Sequence, residues 1–279
     1  MSTFADYRAV KAVNWSTLKH MERSPAHYRA AVAGELERPA SPALAFGSLV
    51  HALALEPHLV PDLYVVEEID RRTKAGKERA LLLTYAGLEL VSPVVYARAE
   101  SIARRVRTSP LVAPYLTGAQ HELTVEWTHP ATGLRCKGRL DWVHEPSRTL
   151  LDLKTARDIG RRFFGRQAAS LGYVGQLGGM YRDACRYGLG WEPARILIVA
   201  VESAQPFDLA VYQLDSQAVE AGEALVDSLL ARVAECEASG TWPGAHPEIE
   251  TLDVPGWYYG DGGDAEIVYD TDTNDSPEF

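Results

Sequence analysis

Cysteine is scarce: Cys136, Cys185 and Cys236 are the only three in 279 residues. They are odd in number, far apart and form no CxxC pair, which argues against a disulfide framework and against a thiolate zinc site. Cys136 and Cys185 read as small buried apolar residues. Long apolar runs are also missing, and none approaches the ~18 residues of a membrane span. The first ten residues carry Asp6 and Arg8 and do not read as a signal peptide. A reducing cytoplasm with no membrane partner is the expected setting.

Positive charge is missing from the C-terminal end, where no Lys or Arg follows Arg232. The net charge of −10 therefore misrepresents the body of the chain. Residues 1–232 hold 28 bases against 26 acids, and residues 233–279 hold the other 12 acids. A near-neutral body with basic clusters precedes an acidic end. Hydrophobic residues at 46% and charged residues at 24% suffice for a packed core and exclude a wholly disordered chain. Length alone suggests one large domain or two small ones.

Periodicity divides the chain. Residues 14–33 read as a helix with Ser16 as N-cap, stopped or kinked at Pro25. An apolar helix is expected over 43–56, a short strand over 63–69, a basic loop over 71–79, and helices near 77–90 and 93–108. The period then changes to two. Strands at 121–128, 134–144 and 149–154 with tight turns between them read as a meander. Helices near 158–169 and 173–187, β-rich segments 194–202 and 207–214, and a helix over 216–238 follow. This order predicts an α/β fold, a central mixed β-sheet flanked by helices, with a helical N-terminal region over about 14–108 and a sheet core over about 120–238. Residues 1–259 are expected to form a single domain, and residues 260–279 an acidic flexible tail.

The chemistry concentrates in residues 138–155, GRLDWVHEPSRTLLDLKT. Asp152 and Lys154 are two apart on one strand and so share a face. Asp141 lies on the strand joined to it by a turn. Two converging carboxylates need a cation, and hard oxygen donors suit Mg2+ or Mn2+. The Leu153 carbonyl between Asp152 and Lys154 is a further oxygen donor. Lys154 suits orienting or helping to deprotonate a water and offsetting transition-state charge. Leu150, Leu151 and Leu153 mark the strand as central and buried, which an ordinary solvated ion pair would not require.

These residues carry a family resemblance. G-R-L-D, a hairpin and L-D-L-K-T resemble the active-site core of the PD-(D/E)xK nuclease superfamily in its RecB-like branch. GSLVHALALEP, with Gly47 and His51, resembles the helical element that supplies a metal-ligating His there, and Glu122 falls where that branch often has a Glu. NWSTLKHMERSPAHYRA, RRTKAGKER and TWPGAHPEIETLDVPGWYY resemble flanking segments of phage and prophage exonuclease VIII (RecE-like) nuclease domains. The resemblance runs from about residue 14 to 259.

It implies a Mg2+- or Mn2+-dependent exodeoxyribonuclease in a bacterial or phage-infected cell. The implied substrate is a double-stranded DNA end, digested 5′ to 3′. The implied partners are a single-strand annealing recombinase and further copies of the chain in a ring. It assigns metal binding to His51, Asp141, Asp152 and Leu153, and catalytic roles to Lys154, Asp152, Asp141, Glu122, Gln176 and Tyr181. In the family, Gln and Tyr stand four apart on one helix; here YVGQLGGMY places them five apart, roughly 140° around an ideal α-helix. Gly178 and Gly179 would permit a π-bulge that restores their facing.

Arg157, Arg161, Arg162 and Arg166, with Arg71, Arg72, Lys74 and Lys77, are candidate phosphate contacts. Phe163 and Phe164 between the arginines suit base stacking or core packing. A Cas4-like or structure-specific endonuclease and a catalytically idle DNA-binding or assembly protein are the alternatives. Four cluster-binding cysteines are absent, which counts against the Cas4-like form.

Residues 260–279 hold seven acids and no base. Their deletion should leave the melting temperature nearly unchanged and tighten DNA binding at low salt, where their repulsion of DNA is least screened. Melting curves and binding isotherms of the truncated protein check this; a large loss of stability would show the segment to be docked.

Overall fold

A computed structural model describes residues 4–36, 41–246 and 248–259. The 260–279 segment lies outside the described residues. The helices are α1 (Phe4–Ala9), α2 (Trp15–Leu18), α3 (Pro25–Ala33), α4 (Pro42–Leu55), α5 (Val60–Leu63), α6 (Lys74–Tyr85), α7 (Pro93–Thr108), α8 (Arg161–Ser170) and α9 (Ser216–Ser239). The strands are β1 (Tyr64–Val66), β2 (Glu89–Val91), β3 (Gln120–Thr128), β4 (Arg135–His144), β5 (Thr149–Ala156), β6 (Arg195–Glu202) and β7 (Leu209–Gln213). Between α8 and β6 a helical run carries two π-helical stretches, Gly175–Tyr181 and Ala184–Leu189.

The main sheet has the order β3-β4-β5-β6-β7. β5 and β6 are parallel, and every other neighbouring pair is antiparallel. The expected mixed sheet flanked by helices is what the chain forms. β5 lies at the centre, which explains its Leu-rich sequence: both of its faces are covered. On one face Leu150 and Ile198 pack with Trp15, Leu177, Met180 and Leu230. On the other Leu151, Leu153 and Val199 pack with Leu49, Val50, Ile102 and Val106 from α4 and α7.

Several local expectations change. The first helix breaks into α2, a 3₁₀ turn and α3, with Pro25 at the start of α3, where its missing N–H costs nothing. The cap of α2 is Asn14 rather than Ser16: Asn14 Oδ1 accepts from Thr17 N–H, and Ser16 donates its hydroxyl to the same oxygen. The basic segment 71–79 is a loop only to Thr73. Thr73 caps α6 by accepting from Gly76 N–H at 3.0 Å, so Lys74 and Lys77 are helical. Residues 89 and 90 leave the helix expected near 77–90 and, with Val91, pair in parallel with β1.

The contact between the first π stretch and α9 sets the close packing beneath the sheet. A Cβ on Gly179 would stand 2.4 Å from the Gly222 carbonyl oxygen and 2.5 Å from Val226 Cγ2. Neither neighbour is the end of a flexible chain, so substitution must push the helices apart. Gly179→Ala is expected to destabilise the protein by about 1–3 kcal/mol. Gly165→Ala on α8, where an added Cβ meets nothing within 4 Å, should instead stabilise by up to ~1 kcal/mol through helix propensity. Chemical denaturation of the two variants checks the opposite signs.

Candidate active site

The β3–β4–β5 meander opens where the charged residues sit. Leu123 pairs with Leu140 and His121 with Trp142, so Glu122 stands opposite Asp141, yet that pair is missing from the ladder. Glu122 has a φ of 48°, a left-handed conformation that strains a non-glycine residue. On β4, Leu140 and Val143 are three apart but enter the same core, so the side-chain alternation resets at Asp141. Pairing of β4 with β5 begins at His144 and stops at Trp142–Leu151, one step before Asp141 would meet Asp152. The N–H of Leu153, which has no pairing partner on β4, donates to Asp141 Oδ2 at 3.1 Å. The broken ladder thus holds a carboxylate in the plane of the sheet.

α4 brings His51 to this gap. Its Nε2 donates to the Leu153 carbonyl at 2.7 Å. Its Nδ1 faces Asp141 Oδ2 at 3.5 Å and Glu122 Oε1 at 3.7 Å. Burial works against charge on this imidazole, but Asp141 and Glu122 outweigh it and raise its pKa to about 9. His51, Glu122 and Asp141 offer ligand atoms all within 4.8 Å of one another. Glu122 is steered from behind: Arg139 donates to it at 2.6 Å and to Glu56 at 3.1 Å.

Asp152 has no exposed surface. Lys154 Nζ pairs with its Oδ2 at 2.6 Å, whereas Oδ1 is buried with no hydrogen-bond partner. Burial disfavours the Lys154 charge, but Asp152 and then Asp141 reverse this and raise its pKa, so the side chain stays an ammonium. The Tyr173 ring lies 4.8 Å beneath Nζ and adds a cation–π contact. Asp141 responds in the opposite sense to an ordinary paired acid: burial, then the Asp152 charge, raise it to about 7.

Gln176 and Tyr181 meet. The stretch Gly175–Tyr181 is π-helical, which brings residues five apart onto one face, and Gln176 Nε2 donates to Tyr181 Oη at 3.0 Å. Burial, followed by the charges of Asp141 and Asp152, raises the Tyr181 pKa well above its ordinary value.

The basic candidates separate. Arg157, Arg161, Arg162 and Arg166 are exposed directly after β5. Phe163 is 51% exposed among them, whereas Phe164 is buried and stacks on Tyr212. In the other cluster Arg72 pairs with Asp70, Lys74 with Glu78 and the neighbouring Arg79 with Glu67. Arg71 and Lys77 are exposed. Glu56, Arg139 and Tyr173 join the site without having been singled out in the sequence. Arg139 stood in plain view in G-R-L-D; Tyr173 carries no local signal, because only the packing of the helical run over β5 brings it to Lys154.

The residues fit a divalent ion. A buried carboxylate whose Oδ1 has no hydrogen-bond partner, two further carboxylates, a carbonyl oxygen and an imidazole form a hard, mostly oxygen donor set. Asp152 is not part of the tight His51–Glu122–Asp141 group; its Oδ2 is paired with Lys154 and its Oδ1 is left without a partner.

No curated protein matches the chain. A crystal structure of a candidate exonuclease from Eubacterium rectale superposes with a TM-score of 0.61 at 17% identity, covering 94% of this chain and 99% of that one. At that identity the likeness is one of fold. The crystal structure of SSO0001 aligns over 66% of this chain and 85% of its own at 16% identity, with a TM-score of 0.29, too low to bear on the fold. The model of one family, described as a PDDEXK-like domain of unknown function (DUF3799), matches residues 14–254. With its mixed sheet, its interrupted meander and its D-x-K strand, the chain belongs to that family of PDDEXK-like domains.

Proposed function

We propose that the chain is a divalent-metal-dependent DNA exonuclease that hydrolyses linear duplex from its ends, with Mg2+ or Mn2+ held by His51, Asp141, Asp152 and the Leu153 carbonyl. The observation that carries this reading is Asp152, wholly buried, its Oδ1 without a hydrogen-bond partner and its Oδ2 against the Lys154 ammonium, beside a second carboxylate. A purely structural ion pair would be expected to satisfy both oxygens of so deeply buried a carboxylate, Oδ1 included. When bound, the ion supplies Lewis-acid polarisation of the scissile phosphodiester.

The side chains divide the remaining work. Lys154, kept protonated, orients the attacking water and offsets charge developing on the phosphoryl oxygens rather than removing a proton. Glu122, fixed by Arg139, faces His51 and sets the direction of the imidazole. Gln176 and Tyr181 present an amide and a phenol to the same cluster and position substrate there. The arginines of 157–166 lead phosphates toward β5, with the exposed Phe163 placed to stack on an unpaired base. The 5′-to-3′ direction, supply of single strands to an annealing recombinase and assembly into a ring belong to this proposal and are supported by the family resemblance. No single described helix is long and apolar enough to cross a membrane, although the bent pair formed by Pro42–Leu55 and Pro57–Leu63 meets that test of length and composition jointly.

A linear duplex and its covalently closed circle, incubated with Mg2+, provide the test. The linear form should be degraded and the circle spared. Asp152→Asn and Lys154→Ala should each abolish degradation, with melting temperatures measured alongside because breaking a buried ion pair costs about 3–5 kcal/mol. Equal cutting of both forms would indicate an endonuclease, and cleavage that survives in folded Asp152→Asn would overturn the site.

Binding should also report the arginine path. Replacing Arg161 and Arg162 with Ala should weaken duplex binding and reduce the salt slope of log affinity by about 0.9 for each phosphate no longer neutralised, with base preference unchanged. An unaltered slope in fluorescence anisotropy titrations would place the DNA elsewhere.

A further inference from the structure

The far end of the β3–β4 hairpin carries a second constellation that the nuclease reading leaves unused. His129 directly follows β3 and is 3% exposed. Its Nε2 points at Asp227 Oδ1 on α9, 3.2 Å away. Asp183 joins them from between the two π-helical stretches. It is 4% exposed, and its Oδ2 has no hydrogen-bond partner. The imidazole nitrogen and the two carboxylate oxygens all lie within 4.8 Å of one another.

Nearby charge does not satisfy Asp183. Arg182 and Arg186, its neighbours in the chain, pair with Glu192 and Glu223 instead. Burial, then the charge of Asp227, raise Asp183 to about 7. A buried carboxyl of this kind needs either a proton or a cation. The second ring nitrogen of His129 bears on the choice. Nδ1 is 3.0 Å from Thr132 Oγ1, which already accepts from Leu134 N–H. An Nδ1–H donated to that hydroxyl oxygen leaves the Nε2 lone pair facing the two carboxylates, the arrangement by which an outer hydrogen bond orients a ligating histidine.

We propose that His129, Asp183 and Asp227 form a structural binding site for a divalent transition-metal ion, Zn2+ in preference to Mg2+. One imidazole and two carboxylates favour first-row transition ions over Mg2+ and Ca2+, which prefer an all-oxygen shell, and among those ions the affinity order favours Zn2+ over Mn2+. Asp227 is more than half exposed and opens the site to solvent. The ion ties the hairpin turn, the π-helical run and α9 together. His129 is seven residues beyond Glu122 along β3, a separation of roughly 23 Å at strand rise, so the site is distinct from the nuclease centre and independent of that reading.

The test uses the full chain carrying Asp141→Asn, so that the nuclease cluster does not compete for the probe. After removal of metals by a chelator, ZnCl2 is titrated by calorimetry in excess Mg2+, with elemental analysis of the dialysed protein. One Zn2+ per chain is expected, together with a rise in melting temperature. Adding Asp227→Asn, a half-exposed position that folding tolerates, should weaken Zn2+ binding by about 10-fold or more and remove the thermal shift. Asp183→Asn, which keeps the shape and removes the charge, should do the same. With residue 141 left as Asp, Asp227→Asn should cleave DNA at the parent rate in Mg2+, so failure here is separable from failure of the nuclease reading. Absence of bound Zn2+, or Zn2+ affinity unchanged by both substitutions, would overturn the site and leave a His129–Asp227 ion pair beside a protonated Asp183.

Discussion

Two carboxylates face each other inside a sheet, and their mutual repulsion in a desolvated place is the constraint around which the rest is arranged. At an effective dielectric of about 20, unit charges 4 Å apart still interact by about 4 kcal/mol. The chain meets this with a lysine 2.6 Å from Asp152 and an imidazole 3.5 Å from Asp141. Both cations are held in their charged forms against burial. The protonated His51 stands beside the carboxylates that the proposed ion would join. Its bond to the Leu153 carbonyl occupies one of the proposed donor atoms. Metal loading would then replace the single charge of the imidazolium by the two of the ion, adding about one positive charge to the site.

The sheet gives up local regularity to hold this arrangement. β3 and β4 lose a ladder pair at Glu122 and Asp141, and β4 and β5 separate where Asp141 would meet Asp152. The released Leu153 N–H is taken by the side chain that the gap exposes. Below the sheet, Gly175 lies against Trp15, and Gly178 and Gly179 lie against α9, at distances that leave no room for a Cβ at Gly175 or Gly179. Close packing lets a helix wider than an α-helix fit there, and the π geometry turns Gln176 and Tyr181 to the same side. Two of the backbone irregularities, the left-handed Glu122 and the first π stretch, therefore lie where the proposed chemistry lies.

Much of the fold was legible because β4 and β5 combine period-two patterning with a clear turn, because α4 is apolar almost throughout, and because α7 and α9 are long and apolar on one side. Asp152 and Lys154 could be placed on one face by counting in twos. The glycine pair in YVGQLGGMY signalled the π geometry. Elements held by few local bonds were harder: β2 is three residues long and owes its conformation to β1. Asn14 displaced Ser16 as a cap because the chain enters the helix two residues earlier. The cation–π partner Tyr173 and the buttress Glu56 depend on tertiary contact. So does the His129–Asp183–Asp227 group, whose members are separated by 54 and 44 positions in the sequence and share no motif.

The most direct measurement is Mg2+ titration by calorimetry at pH 7.5 in two buffers of different ionisation enthalpy. A histidine raised to about 9 carries a proton at that pH, and a ligating imidazole must be neutral, so binding has to expel it. The expected result is release of about one proton per ion, an affinity that rises with pH through the window from about 7 to about 9, and loss of binding in Asp152→Asn. Binding with no proton release, or unchanged binding in Asp152→Asn, would contradict the assignment of His51, Asp141 and Asp152 as the metal centre.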